Sequence, residues 1–158
     1  MAEETVSLLQ RRRIEAEIVK PIYEILKREL GVEVARRIIA EAVRSSAIEA
    51  GRALAEEDAE SRSLIAFARL VPLASEGGAL EVDVISSDEK ELSFDVRRCR
   101  YAEMYRDIGA EELGPLLSCG RDALMAEAYD SSIELVRKQT IMEGAERCDF
   151  RFRRKSIE

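Results

Sequence analysis

The sequence contains no histidine and no tryptophan. Without histidine there is no Ser-His or Cys-His couple, no H-E-x-x-H zinc site and no imidazole base near neutral pH. Acid–base work therefore falls to Asp, Glu, Cys, Tyr or Lys. Asparagine is absent too, which together with the abundant charge resembles a heat-adapted composition. Cysteine is scarce: three residues, an odd number with no C-x-x-C spacing, argue against a secreted disulfide framework and against a thioredoxin-like redox motif. The thiols are expected to be reduced. No apolar run approaches the ~18 residues of a membrane span, and Met1-Ala2-Glu3-Glu4 lacks the basic-then-apolar layout of a secretion signal. The expected location is cytoplasmic.

What the chain does have is 158 residues, a length for which one hydrophobic core is the default. A single domain, 1–158, is expected, with a helical half (1–76) and a second half (77–158). The formal charge of -7 repels polyanions, so neither nucleic acid nor an anionic membrane is an expected partner. Arg11-Arg12-Arg13 and Arg151 to Lys155 are the basic runs, and neither is interleaved with aromatic residues. Both read as solvated faces.

Ile14, Ile18, Ile22, Ile25 and Leu26 recur at helical intervals, which predicts an amphipathic helix with that stripe turned to the core. Pro21 predicts a kink or a restart. Gly31 suits a left-handed helix end, and Val34, Ile38, Ala42 and Val43 begin a second helix running to about Glu57. These two predict a helical hairpin. A shorter helix is expected over Leu64 to Leu73, ended by Pro72 and the Glu76-Gly77-Gly78 turn. The period then changes. Leu80, Val82, Val84 and Leu92, Phe94, Val96 alternate with polar residues around a turn at Ser86 to Lys90, predicting an antiparallel hairpin. Helical patterning returns from Arg100 to Tyr129, and Ile133 to Ile141 with Cys148 to Phe152 predicts a second hairpin through Gly144. The order, without βαβ alternation, predicts an α+β fold with an antiparallel sheet of about four strands.

Chemistry is expected in the second half. Cys119 precedes a predicted helix beginning at Asp122, where free N–H groups, the helix dipole and Arg121 favour a thiolate. The alternative is a small buried hydrophobe. Cys148 shares strand parity with Phe150 and Phe152 and is expected in the core; Asp149, Arg151 and Arg153 take the other face. Cys99 precedes Tyr101, Glu103 and Tyr105, which either edge a pocket or cover a helix. Three thiols with Asp122 or Asp149 have the donor types zinc accepts, although no two lie close in sequence. No cofactor is required by the sequence. Glu103, Asp122 and Asp149 are candidate proton acceptors.

The strings FDVRRCRYAEMY (94–105), LG with LSC and RD (113–122), QTIMEGA (139–145) and CDFRF (148–152) resemble the L-2-amino-thiazoline-4-carboxylic acid hydrolase family. The resemblance implies hydrolytic opening of a cyclic amidine at its C=N bond to give N-carbamoyl-cysteine. For that reaction the residues expected to act are Cys119 as nucleophile, Asp122 or Asp149 as amidine partner and proton carrier, and Arg121 or Arg137 as anchor for the substrate carboxylate. Cys99, Tyr101, Glu103 and Cys148 complete the expected substrate site. The layout is similar, more distantly, to vinyl-reductase-type ligand-binding domains, which implies a homodimer and a second function: a non-enzymatic small-ligand or metal-binding sensor or carrier. A third reading takes the N-terminal helical hairpin as a dimer surface.

Overall fold

Ser7 opens the first helix: its hydroxyl accepts from the Gln10 amide at 3.2 Å while its own amide donates to the Gln10 side chain at 3.0 Å. In the computed structural model, which describes residues 5–156, helix α1 then spans Leu8–Leu30. The acidic Met1–Glu4 lies outside the described residues. Helix α1 continues through Pro21 instead of restarting there. Pro21 and Glu17 are both exposed, so the carbonyl deprived of its helical partner faces water. Gly31 ends the helix with φ 85° but an extended ψ of 162°, which is not the left-handed helical geometry expected, and α2 (Val32–Glu57) begins at the next residue.

The isoleucine stripe is turned the other way from its expectation. Ile14, Ile18, Ile22 and Ile25 keep 47 to 64% of their surface exposed. The face that packs inward carries Arg12, Ala16, Val19, Tyr23 and Leu26, of which Ala16 and Tyr23 are fully buried. Helix α2 meets it with Ala35, Ile39 and Val43; of the expected Val34, Ile38, Ala42 and Val43 only Val43 belongs to this row, which otherwise lies one position on. Buried Ala47, Gly51 and Ala55 continue that line at four-residue steps. Such small residues let helices approach closely. A Cβ on Gly51 would collide with the Met125 carbonyl and stand 2.8 Å from the Ala128 Cβ.

The expected helix over Leu64 to Leu73 is instead two short turns, α3 (Leu64–Phe67) and α4 (Leu70–Ala74), with Pro72 inside the second. Strands β1 (Leu80–Ser87) and β2 (Glu91–Cys99) form the expected hairpin, and Asp88 holds its turn by accepting from the Lys90 and Glu91 amides. After α5 (Arg100–Asp107), α6 (Gly114–Leu117) and α7 (Asp122–Tyr129) come β3 (Ile133–Val136) and β4 (Cys148–Arg154). Strand β3 is shorter than expected. Asp149 accepts from the Lys138 and Gln139 amides at 3.0 and 2.9 Å, which draws the chain out of the ladder after Val136.

The sheet order is β1-β2-β4-β3, antiparallel throughout, so the fold is α+β as expected. Two groups of buried side chains form. One joins α1, α2 and α5 through Ala16, Tyr23, Ile39 and Tyr105; the other lies between the sheet, α3 and α7 through Phe67, Phe94, Tyr129 and Phe152. Cys99 packs against both, and the candidate site lies at that seam.

Candidate functional site

Two strands and one turn of chain deliver the thiols. Cys99 ends β2 and caps α5, its sulfur accepting from the Ala102 amide at 3.4 Å. Cys148 begins β4 beside Val96 of β2, and its sulfur accepts from the Ile141 amide at 3.2 Å. Cys119 lies in a 3-10 turn, 119–121, that runs directly into α7. All three are free thiols and close enough to influence one another electrostatically. Folding therefore gathers residues far apart in sequence.

Beside them stands an ion pair. Arg137 donates one N–H to the Asp122 carboxylate at 2.6 Å and another to the Cys119 carbonyl at 3.1 Å. Its guanidinium lies 4.8 Å from the Phe150 ring centre, and Phe150 stacks on Phe94 at 4.7 Å. The pair is sheltered: the side chains keep 14% and 29% exposure for Arg137 and Asp122. Arg137 thus fixes the position of both Asp122 and the Cys119 turn.

The charge balance of this group decides its protonation. Burial raises the Cys119 thiol well above the ordinary cysteine value; Asp122 raises it further, and Arg137 only partly offsets them. Burial pushes Cys99 up to about 11, and raises Cys148 as well. Burial also raises the Asp122 carboxyl against the pull of Arg137. The expected thiolate at Cys119 is therefore not stabilised in this state. The short turn uses its amides internally, since Asp122 N–H donates to the Cys119 carbonyl and Arg121 N–H to the Ser118 carbonyl. Arg121 itself turns to the Leu117 carbonyl at 3.1 Å and to Ser46 at 2.9 Å.

Other expected residues divide. Tyr101 is buried near Cys99, with its hydroxyl donating to the Ala74 carbonyl at 2.9 Å and its pKa pushed up to about 12 by burial. Glu103 is not brought to the thiols: it lies on the outer side of α5, paired with Arg98 at 2.9 Å, because Tyr101, Met104 and Tyr105 take the inner side. Asp149 points away from Cys148 by strand alternation and secures the loop carrying Arg137. Among the described residues, no three of Cys, Asp and Glu are grouped so as to hold a metal ion, so the arrangement of thiols plus Asp122 or Asp149 suited to zinc is not formed.

Sequence reasoning missed Arg12, Ser118 and Ser46, and named Tyr105 without its partner. Arg12 belongs to a basic run read as a solvated face, yet only 13% of its side chain is exposed, and it pairs with Glu15 at 2.7 Å. Its charge acts on Tyr101, Tyr105, Arg121 and Asp122. The signal was its helical phase, which matches buried Ala16 and Tyr23. The Tyr105 and Ser118 hydroxyls share a hydrogen bond of 2.7 Å, for which the sequence offers no comparable signal. Burial lowers the Arg121 pKa, and the neighbouring Arg12 cation lowers it further.

Two surface clefts open elsewhere. One of about 270 Å³ lies between Lys20, Tyr23 and Glu24 of α1 and the Gly109–Leu113 loop. The other, about 400 Å³ and mostly apolar, runs between Arg37–Arg44 of α2 and Pro115, Leu116, Gly120 and Leu124. No helix of the described residues is long and apolar enough to cross a membrane.

The model of one protein family, described as L-2-amino-thiazoline-4-carboxylic acid hydrolase, matches residues 11–152. No curated protein matches. Among solved structures, the chain is similar to the phenol-responsive sensory domain of the transcription activator PoxR with phenol, with TM-score 0.56 and 15% identity over 88% of this chain and 74% of that one. It is also similar to a trafficking protein particle complex subunit 3 from Naegleria fowleri covalently bound to palmitic acid, with TM-score 0.52 and 12% identity over 92% of this chain and 96% of that one. At these identities the likeness is one of fold.

Proposed function

Because the chain belongs to the L-2-amino-thiazoline-4-carboxylic acid hydrolase family, we propose that it hydrolyses a small cyclic amidine of that kind at the seam around Cys119, Asp122 and Arg137. The observation that carries the reading is a sheltered thiol and carboxyl beside the Arg137 guanidinium, both raised by burial even though Arg137 draws on both and Arg12 and Arg121 also act on the carboxyl. Burial thus outweighs these cations, and the site by itself does not hold both groups as anions. A protonated amidine supplies a further positive charge, so the substrate itself favours the ionised forms that its own reaction needs. Reactive thiolate then forms only in the occupied site, which protects the resting enzyme from alkylation and oxidation.

In the reaction, the Cys119 proton passes to Asp122 and the sulfur adds to the ring carbon bonded to both nitrogens. The ring C–S bond breaks, in place of the C=N bond first expected, because N-carbamoyl-cysteine keeps both nitrogens on that carbon; the ring sulfur leaves as a thiol. Water then displaces the Cys119 sulfur, giving N-carbamoyl-cysteine and the starting thiol. Net, one water is added across the ring and one thiol is released. Arg121 is the proposed anchor for the substrate carboxylate, because a guanidinium that is partly buried and repelled by the Arg12 charge is relieved by an anion. Arg137 acts as a positioning residue, and Cys99, Tyr101 and Cys148 form the wall.

The test is thiol release from the thiazoline carboxylate, followed colorimetrically with product identified by mass spectrometry. Wild-type protein is expected to release one thiol per substrate, and Cys119→Ser to abolish turnover with an unchanged circular dichroism spectrum. Unchanged activity of that variant removes Cys119 from the mechanism.

A second reading is a non-enzymatic sensor or carrier for a small ligand, and two observations favour it: three neutral thiols make a chemically quiet wall, and a phenol-responsive sensory domain shares the fold. An apolar ligand retained through purification, with no thiol release, selects this reading. Either function suits a protein kept in a reducing cytoplasm, where free cysteines persist.

A further inference from the structure

The outer face of α1 carries Ile14, Ile18, Ile22 and Ile25, each about half exposed, along a helix of 23 residues. Four isoleucines in one helical row at such exposure make a continuous apolar strip, unlike the scattered surface hydrophobes of ordinary proteins. Its ends are charged with opposite sign. By helical phase, exposed Arg11 precedes the strip and exposed Glu29 follows it on the same face.

The order along this face is self-complementary about a point midway between Ile18 and Ile22: Ile14 and Ile25 lie one turn further out, and Arg11 and Glu29 lie beyond them. We infer that the outer face of α1 binds the same face of a second copy, antiparallel, across a two-fold axis midway between Ile18 and Ile22. Ile18 of each protomer then meets Ile22 of the other, and each Arg11 meets a Glu29. A two-fold axis requires such reciprocity, residue i against j and j against i, and this face supplies it. The ion pair of Glu29 with Arg28, at 2.9 Å, is exposed and readily exchanged for one with Arg11.

A parallel arrangement sets Arg11 against Arg11 and Glu29 against Glu29, which disfavours it. A lipid surface is the weaker occupant as well. The strip lacks the Trp and Phe of interfacial helices, and the net charge of -7 repels anionic bilayers. At about 1.5 Å per residue the helix is roughly 35 Å long, so the mate covers it end to end. Leu30 and Val32, each 52% exposed at the turn into α2, extend the apolar surface toward the roughly 800 Å² per partner of a standard interface.

Sedimentation equilibrium of the full chain tests this independently of any enzymatic activity. Wild type is expected to be a dimer, and Ile18→Glu to weaken it by at least about 100-fold, because it sets a buried charge against an isoleucine at the centre of the contact. Arg11→Glu is expected to weaken the dimer, and adding Glu29→Arg to the same chain to restore it, a rescue that only the antiparallel pairing gives. A monomeric wild type at hundreds of micromolar overturns the inference, as does a dimer indifferent to Ile18→Glu. Failure of the charge swap to rescue overturns the antiparallel register. Binding of the wild type to neutral phosphatidylcholine vesicles through an intact isoleucine strip assigns the face to lipid instead.

Discussion

Asp122→Asn isolates the electrostatic claim on which the site rests. After burial, the Asp122 charge is the largest influence raising the Cys119 thiol pKa, and Arg137 is the main influence lowering it. The amide keeps the shape and still accepts from Arg137, but it removes the anion and leaves the guanidinium unopposed. A neighbouring charge commonly moves a pKa by about 1–3 units, so the thiol is expected to fall by at least about one unit. Well below its pKa, each unit is a tenfold gain in thiolate. Nucleophilicity falls by roughly threefold per unit over the same change, so alkylation should accelerate by about threefold for one unit and about tenfold for two. The assay is iodoacetamide labelling at pH 8, read peptide by peptide in the mass spectrometer. Cys99 and Cys148 serve as internal references, since an equal rise at all three reports opening of the fold. The substitution costs about 1.5–3 kcal/mol through the weakened charged hydrogen bond. Cys119 labelling that is unchanged or slower, in a protein of native circular dichroism, refutes the reasoning.

Two further predictions concern the scaffold. Gly51→Ala puts a methyl against the Met125 carbonyl and 2.8 Å from the Ala128 Cβ, where helices α2 and α7 cross. Backbone has to shift, so a loss of about 1–3 kcal/mol is expected in urea unfolding, and an unchanged midpoint contradicts the close crossing. Tyr129→Phe removes a hydroxyl that donates to Asp58 at 2.7 Å and accepts from the Ser63 amide at 3.3 Å, for an expected loss of about 1–2 kcal/mol. The Tyr129 hydroxyl and then Arg69 hold the Asp58 carboxyl below the ordinary carboxylate range. Its stabilising effect is present above the unfolded pKa near about 4 and is lost as pH falls through the folded value. The variant's disadvantage should therefore shrink in acid; a gap that stays constant to pH 2 excludes Asp58 as its source.

The strands were legible because alternation leaves little choice. Leu92, Phe94 and Val96 can share a face in one way only, and Cys148 with Phe152 follows the same rule. Helix α1 offered two apolar rows, and hydrophobicity alone ranks the isoleucines above Ala16, Val19 and Tyr23. Tertiary packing reversed that order, since Ala35, Ile39 and Val43 of α2 accept a row containing an alanine and a tyrosine. At the site, the family motifs contain Cys119 and Asp122, whereas Arg137 lies outside them and entered only as one of two candidate anchors for a carboxylate. The protonation of Cys119 and Asp122 was illegible, because it depends on how far burial outweighs the guanidiniums nearby, and a linear motif does not record that. Glu103 and Asp149 were overread for a related reason: a carboxylate inside a motif need not point where the motif's thiols point.

The two misreadings of α1 have one cause. Arg12 follows the phase of Ala16 and Tyr23, while Arg11 and Ile18 follow another, so no rotation of a single helix buries both rows. Turning the isoleucines inward would carry Arg12 away from Arg121 and Tyr105, on which its charge now acts. Bringing a guanidinium to the seam therefore requires the isoleucines to face outward, where only another surface can remove them from water. The site on the inner face and the proposed two-fold contact on the outer one are thus opposite consequences of a single choice of helix rotation. A charge placed in the outer row should in turn disturb association without reaching the thiols.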